Sequence, residues 1–178
     1  IVSSDSKKIL QKQKKYKNIE FIKRNKNLSK DSTQIIEVIN NVLENYQNFD
    51  FVVVLQPTTP FRELSKKNNF IRYIILNNKL SGFSAIEIDE NLLWSFQNKN
   101  KKIVPINKKF PKNTNKDSSI IYYRPSGEIY IASTNWIKKS KSLINEKSDF
   151  YISNNRLLVD IDKEKDLEFA KFLISKRN

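Results

Sequence analysis

Apolar residues recur along this chain with two different periods, and the change of period maps its elements. Ile35, Val38, Ile39, Val42, Leu43 and Tyr46 repeat at helical spacing. Asp31-Ser-Thr-Gln34 just before them is a capping-box pattern, with Asp31 as the expected cap. Residues 50–55, Asp-Phe-Val-Val-Val-Leu, form an unbroken β-branched run instead. Such a run predicts a strand buried on both faces, as in a parallel sheet. Shorter signals fill the first half. Residues 1–3 read as a strand end, and 6–16 as a helix with Ser4 or Asp5 as N-cap. Residues 19–22 read as a strand, 56–62 as a proline-punctuated loop, 64–76 as a helix and 82–88 as a strand. Alternating strand and helix is the α/β signature. The second half reads differently. Two short strands are expected in 92–106 and a polar loop in 107–118. Residues 120–133 read as a strand broken at Arg124-Pro-Ser-Gly127, and 134–141 as a short helix. Residues 150–152 and 156–161 look extended, and Asp162 is placed to cap a last helix over 163–175. With no repeat and no linker, residues 1–178 are expected to form a single domain.

Composition narrows the chemistry. A chain of 178 residues with 38% hydrophobic and 11% aromatic content supports one packed core. No run of eighteen apolar residues exists and no signal-peptide pattern opens the chain, so no membrane partner is expected and the expected location is the cytoplasm. Cysteine and histidine are both absent, which removes the usual zinc ligands and the usual catalytic imidazole. A metal here must sit on oxygen, which points to magnesium or calcium. The net charge of +14 raises a nucleic-acid reading. The lysines run from Lys7 to Lys176 in pairs at most, a solvated surface rather than a binding stripe, so no nucleic-acid partner is expected. The scarce residues are more telling. Of six arginines, Arg24, Arg62 and Arg124 fall in the segments singled out below, as does Gly127, one of two glycines. Arginine offers a planar fork that lysine lacks.

Two segments carry candidate chemistry. The first is the strand end at Gln56 and the loop Pro-Thr-Thr-Pro-Phe-Arg62. Open α/β sheets bind ligands beyond the carboxyl ends of their strands. Gln56 supplies an amide, Thr58 and Thr59 hydroxyls, and Arg62 a cation. The plain alternative is an ordinary strand-to-helix turn with a threonine cap. The second is Asp160 and Asp162, which alternate on an extended segment and so share one face. Two neighbouring carboxylates suit a hard cation such as Mg²⁺. The alternative makes Asp162 a helix cap and Asp160 a surface residue. Gly127 permits a turn or bulge that a side chain would block. Tyr122, Tyr123 and Tyr130 read as core, and Trp94 and Trp136 as structural.

Residues 50–62 resemble the Leu-Gln-Pro-Thr-Ser-Pro-Leu-Arg motif of the acylneuraminate cytidylyltransferases, the CMP-sialic acid synthetases. Other segments fall in that family's order. Ile1-Val-Ser-Ser-Asp5 resembles its Val-Ser-Thr-Asp strand end. Phe21-Ile-Lys-Arg24 and Leu28-Ser-Lys-Asp31 resemble its Arg-Pro-x-x-Leu-x-x-Asp stretch. Tyr123-Arg-Pro-Ser-Gly-Glu-Ile-Tyr130 resembles its Arg-Pro-Asn-Gly-Ala-Ile-Tyr segment. Val159-Asp-Ile-Asp162 with Asp166-Leu167 resembles its Asp-Ile-Asp…Asp-Leu close. The likeness covers nearly the whole chain.

The resemblance implies a Rossmann-like three-layer fold of the nucleotide-diphospho-sugar transferases, with a mostly parallel sheet and a small dimerisation extension at about 92–118. It implies transfer of CMP from CTP to the anomeric hydroxyl of a sialic-acid-like nonulosonic acid, with release of pyrophosphate. Asp160 and Asp162 would be the catalytic acids and hold Mg²⁺, while Asp166 is structural. Arg24, Ser32 and Thr33 would face the nucleotide. Gln56, Thr58, Thr59, Arg62, Arg124, Ser126 and Gly127 would surround the sugar acid, with Arg62 and Arg124 pairing with its carboxylate or supporting the loops. The resemblance further implies a homodimer. Three departures stand out: Ile35 where the family often has a hydroxyl, Ser126 where it has Asn, and Glu128 where it has a small residue. The family also begins with a strand and an Arg-x-x-Ser-Lys…Lys-Asn loop around the CTP phosphates, and this chain starts at about the next strand. The expectation is therefore a piece inactive by itself. Open alternatives are a CTP-dependent enzyme for legionaminic, pseudaminic or ketodeoxyoctonic acid, a basic nucleic-acid-binding module, and an inactive remnant.

Overall fold

The structure is a computed structural model that describes residues 1–46, 48–62, 64–88, 95–106, 121–154 and 157–176. The described residues group into two compact units. The first comprises Ile1–Val53, Ile71–Gly82 and Ile131–Asp149, and the second Val54–Phe70, Phe83–Tyr130 and Phe150–Asn178. A four-stranded sheet has the order β3 (Phe51–Val54), β7 (Tyr123–Ser133), β4 (Ser81–Glu87), β8 (Asp149–Ile152). These strands contribute residues to both units, which are described separately.

In the first unit, β1 (Val2–Ser4) and β2 (Phe21–Lys23) pair in parallel, Ser3 opposite Ile22. Between them lie α1 (Lys7–Leu10) and a 3₁₀ turn over Gln11–Lys15, where one helix was expected. Helix α2 (Ile35–Asn45) buries Val38, Ile39 and Leu43 as its period predicts, but Ile36 joins them while Ile35 is exposed. The capping box does not form. The cap position is Gln34, without a side-chain bond, and Asp31 sits in a turn three residues earlier. Helix α4 (Thr134–Ser140) is capped as a helix start should be, Ser133 Oγ accepting from Trp136 N at 3.2 Å. Ile131, Ala132 and Ile137 complete this core. The valine run does form β3, but not with both faces covered. Val53 is 39% exposed, because β3 is an outer strand of the sheet among the described residues.

In the second unit, Ile88 N donates to Tyr122 O, and Ser84 meets residues 126 and 129, so β7 runs against β4. Ser153 N donates to Ala85 O and the Phe83 and Phe150 rings stack, so β8 runs with β4. The start of α3 (Leu64–Leu76) packs Phe70 on Tyr151, with ring centroids 4.9 Å apart. Hairpin β5–β6 (Phe96–Lys99, Lys102–Pro105) turns at Asn100 and Lys101, both at positive φ, the conformation a two-residue hairpin loop needs. The remainder of the expected extension, 92–94 and 107–118, lies outside the described residues, as does Trp94. Residues 157–161 belong to no strand or helix. One expectation fails here: Asp162 does not cap α5 (Glu164–Ser175). Asp166 closes that helix start instead, its Oδ2 accepting from Lys163 N at 2.8 Å and Asp162 N at 3.2 Å.

Candidate active site

The second unit builds its site around one glycine. After β3 the chain turns at Gln56, where Thr59 N donates to Gln56 O at 3.2 Å. Arg62 folds back into this turn. Its Nη2 donates to Gln56 O and, at 3.0 Å, to Thr59 Oγ1, and its Nε donates to Glu128 O at 2.9 Å. Those bonds describe a residue that supports the loop. Burial lowers the Arg62 guanidinium from its ordinary value while the Glu128 charge pulls it back up. Thr59 is fully buried and its hydroxyl donates to Gly127 O at 2.8 Å. Thr58 O accepts from Ile161 N at 2.8 Å, which ties the loop to the segment carrying Asp160 and Asp162.

Gly127 has φ +76°, a conformation that disfavours a side chain. Space is a second reason. A Cβ there would lie 2.8 Å from Gln56 Oε1, 3.0 Å from Thr59 Cγ2 and 3.8 Å from Asp160 Oδ2. The strand end at Gln56 and the acid at 160 therefore converge within 4 Å of one point. The convergence needs β7 to be irregular. Ser84 Oγ bonds Ser126 Oγ at 2.6 Å and also accepts from Ile129 N at 3.1 Å, so residues 126–129 crowd onto one position of β4. That is the bulge expected of a glycine in a strand. Ser126 is fully buried and its hydroxyl donates to Ser84 Oγ.

The acids differ from one another. Asp160 Oδ1 is buried and meets no hydrogen-bond partner among the described residues. An orphaned carboxylate oxygen is costly unless something absent from the protein itself satisfies it. Asp162 is exposed. Tyr130, expected in the core, is half-buried. Its phenol is raised from 10.0 by burial first and the Asp160 charge second, with Arg124 pulling it down. Asp160, Tyr130 and exposed Arg124 thus share an electrostatic neighbourhood. Tyr123 is exposed and lies against Phe150. Among the described residues no cluster of three or more acids forms.

The candidate nucleotide residues belong to the first unit. Arg24 Nη2 donates to Ser3 O at 2.6 Å and Nε to Ser3 Oγ at 3.2 Å, joining the ends of β1 and β2. Ser32 is exposed, and Thr33 N donates to Lys30 O in the turn before α2. Sequence reasoning missed Lys67, whose Nζ lies 2.9 Å from Glu128 Oε1 with both side chains buried. An acid between Gly127 and Ile129 in a strand was the available signal, because a buried carboxylate calls for a cation.

No family model matches the chain. Curated relatives do. A pseudaminic acid cytidylyltransferase of Campylobacter jejuni is 28% identical over 178 residues, covering 97% of this chain and 76% of that protein. A CMP-N,N'-diacetyllegionaminic acid synthase of Legionella pneumophila is 28% identical, covering 91% of this chain and 72% of that protein. An N-acylneuraminate cytidylyltransferase of Escherichia coli is 26% identical, covering 89% of this chain and 38% of that larger protein. This chain is similar to cytidylyltransferases of nonulosonic acids. Its fold agrees. A solved CMP:2-keto-3-deoxy-manno-octonic acid synthetase complexed with CTP superposes with a TM-score of 0.68 over 99% of this chain and 80% of that one, at 11% identity. No helix among the described residues of this chain is long and apolar enough to cross a membrane.

Proposed function

We propose that this chain transfers CMP from CTP to a nonulosonic acid, as a CMP-nonulosonate cytidylyltransferase acting in the cytoplasm. In the reaction the anomeric oxygen of the sugar acid attacks the α-phosphorus of CTP. The bond from the α-phosphorus to the oxygen bridging to the β-phosphate breaks, pyrophosphate leaves, and the proton of the anomeric hydroxyl passes to solvent or a carboxylate. The observation that carries this reading is the convergence of Gln56, Thr59 and Asp160 on Gly127, in a chain whose relatives have that activity by name. Gln56 is the residue assigned to orient the sugar acid, and Arg124, which is exposed, the one assigned to meet its carboxylate bidentately. Arg24, Ser32 and Thr33 are the residues assigned to the nucleotide.

The residues present fit Mg²⁺. The unpartnered Oδ1 of Asp160 offers a hard anionic oxygen, and Asp162 a second carboxylate two residues on. Such an ion supplies charge neutralisation at the phosphates. The remaining work falls to positioning. A homodimer formed through the β5–β6 hairpin belongs to the same proposal, supported by the exposure of Ile103 and Ile106 there.

The test supplies CTP, Mg²⁺ and in turn pseudaminic, legionaminic, N-acetylneuraminic and ketodeoxyoctonic acids. Pyrophosphate release and product mass are the readouts, with calorimetric binding of each ligand alongside. Binding of CTP and a nine-carbon acid, with any turnover of the unaltered chain lost in Asp160→Asn while folding is retained, is the expected result. No binding of any sugar acid, or full activity in Asp160→Asn, overturns it.

A further inference from the structure

We propose that the buried Lys67–Glu128 ion pair is a positioning device that sets the sugar-acid end of the site by holding the 126–129 bulge in place. The inference rests on the proposed function but concerns residues that reading does not use. Lys67 is 3% exposed and Glu128 0%, and Lys67 Nζ sits 2.9 Å from Glu128 Oε1. Two charges taken this far from water gain little net stability, and apolar replacements of similar volume often do as well. The contacts around the pair show what it gains instead.

Each residue of the bulge has its own tether. Ser126 Oγ bonds Ser84 Oγ at 2.6 Å and lies 3.5 Å from Glu128 Oε2. Gly127 O accepts from Thr59. Glu128 O accepts from Arg62, and its carboxylate takes Lys67 from α3. Ile129 N donates to Ser84 Oγ. The bulge is thus pinned from β4, from the loop and from the helix, and the pin from the helix is the Lys67 ammonium. Because Gly127 has Gln56, Thr59 and Asp160 packed against it, a small shift of the bulge moves all three relative to one another. An ion pair fixes direction and distance in a way that two apolar side chains do not.

The experiment uses the whole chain with two changes, the apolar double variant Lys67→Met/Glu128→Met and the conservative Lys67→Arg. Urea unfolding is read beside calorimetric affinities for CTP and for whichever sugar acid the unaltered chain binds. The double variant should unfold at the same or higher urea concentration yet lose about tenfold or more in sugar-acid affinity. Its CTP affinity should change by about twofold or less. Lys67→Arg keeps the charge but moves the carboxylate, and should fall between the two. Wild-type sugar-acid affinity in the double variant makes the pair a filler of space and overturns the proposal. If the double variant does not fold, Lys67→Arg decides, and unchanged sugar-acid affinity there overturns it as well. If the unaltered chain binds no sugar acid, the functional reading fails first and the proposal with it, a result distinct from a variant that matches wild type.

Discussion

Arg24 and Arg62 do similar work in different surroundings. In the first unit, Arg24 closes the end of the β1–β2 pair by donating to the backbone and hydroxyl of one residue, Ser3. In the second, Arg62 gathers acceptors from its near neighbours Gln56 and Thr59 and from the distant Glu128. One arginine joins two strand ends through a single residue. The other ties its own loop to β7. The same contrast runs through the rest of each unit. The first unit's candidates, Ser32 and Thr33, sit in a turn made by neighbours in sequence. In the second unit Thr59 bonds Gly127 and Thr58 bonds Ile161 across long separations, so a change at the loop reaches both.

The strongest way to break this contrast is to remove a buried charge. Lys67→Met alone leaves Glu128 buried without its cation and should cost about 3–5 kcal/mol in urea unfolding. A cost as small as a surface substitution's would show that the second unit does not depend on its network. Next comes Gly127→Ala, which combines a positive φ with a Cβ 2.8 Å from Gln56 Oε1. It should cost about 2–3 kcal/mol and disturb sugar-acid binding more than CTP binding, by calorimetry. The two arginines then test the comparison directly. Arg62→Met should cost about 2 kcal/mol or more, since it frees buried carbonyls, and Arg24→Met about 1 kcal/mol. Equal costs would remove the distinction.

The smallest effect is on pH dependence. Tyr130 is raised from 10.0 in the folded chain, so on raising the pH the unfolded chain gives up its proton first. The stability this contributes is full below the ordinary tyrosine value and is lost as pH climbs through the raised one. Between about pH 9 and pH 11 the melting temperature should therefore fall less in Tyr130→Phe than in the unaltered chain.

Much of the fold was legible in the residue pattern. The helix at 64–76 was read to its ends, because its apolar spacing and the proline before it bracket it. The α4 helix and β8 strand were similarly clear. What failed were ends and faces. Asp31 carries the right side chain for a cap, but the helix starts beyond its reach at Ile35. The valine run predicts a strand, yet which faces are covered depends on what packs above and below the sheet, and that is not a local property.

For the site, the sequence by itself determined the chemistry available. The absence of histidine and cysteine leaves carboxylates, amides, hydroxyls and arginines to bind and position. It also marked Gln56, Gly127 and Asp160 as residues worth watching. Only the tertiary structure decided that these three meet at one point, that Ser126 turns inward to Ser84, and that Glu128 is neutralised by Lys67. The physical reason is distance along the chain. Propensity and periodicity act over a few residues, whereas contacts between residues 56, 67, 84, 127 and 160 exist only once the strands have been brought side by side.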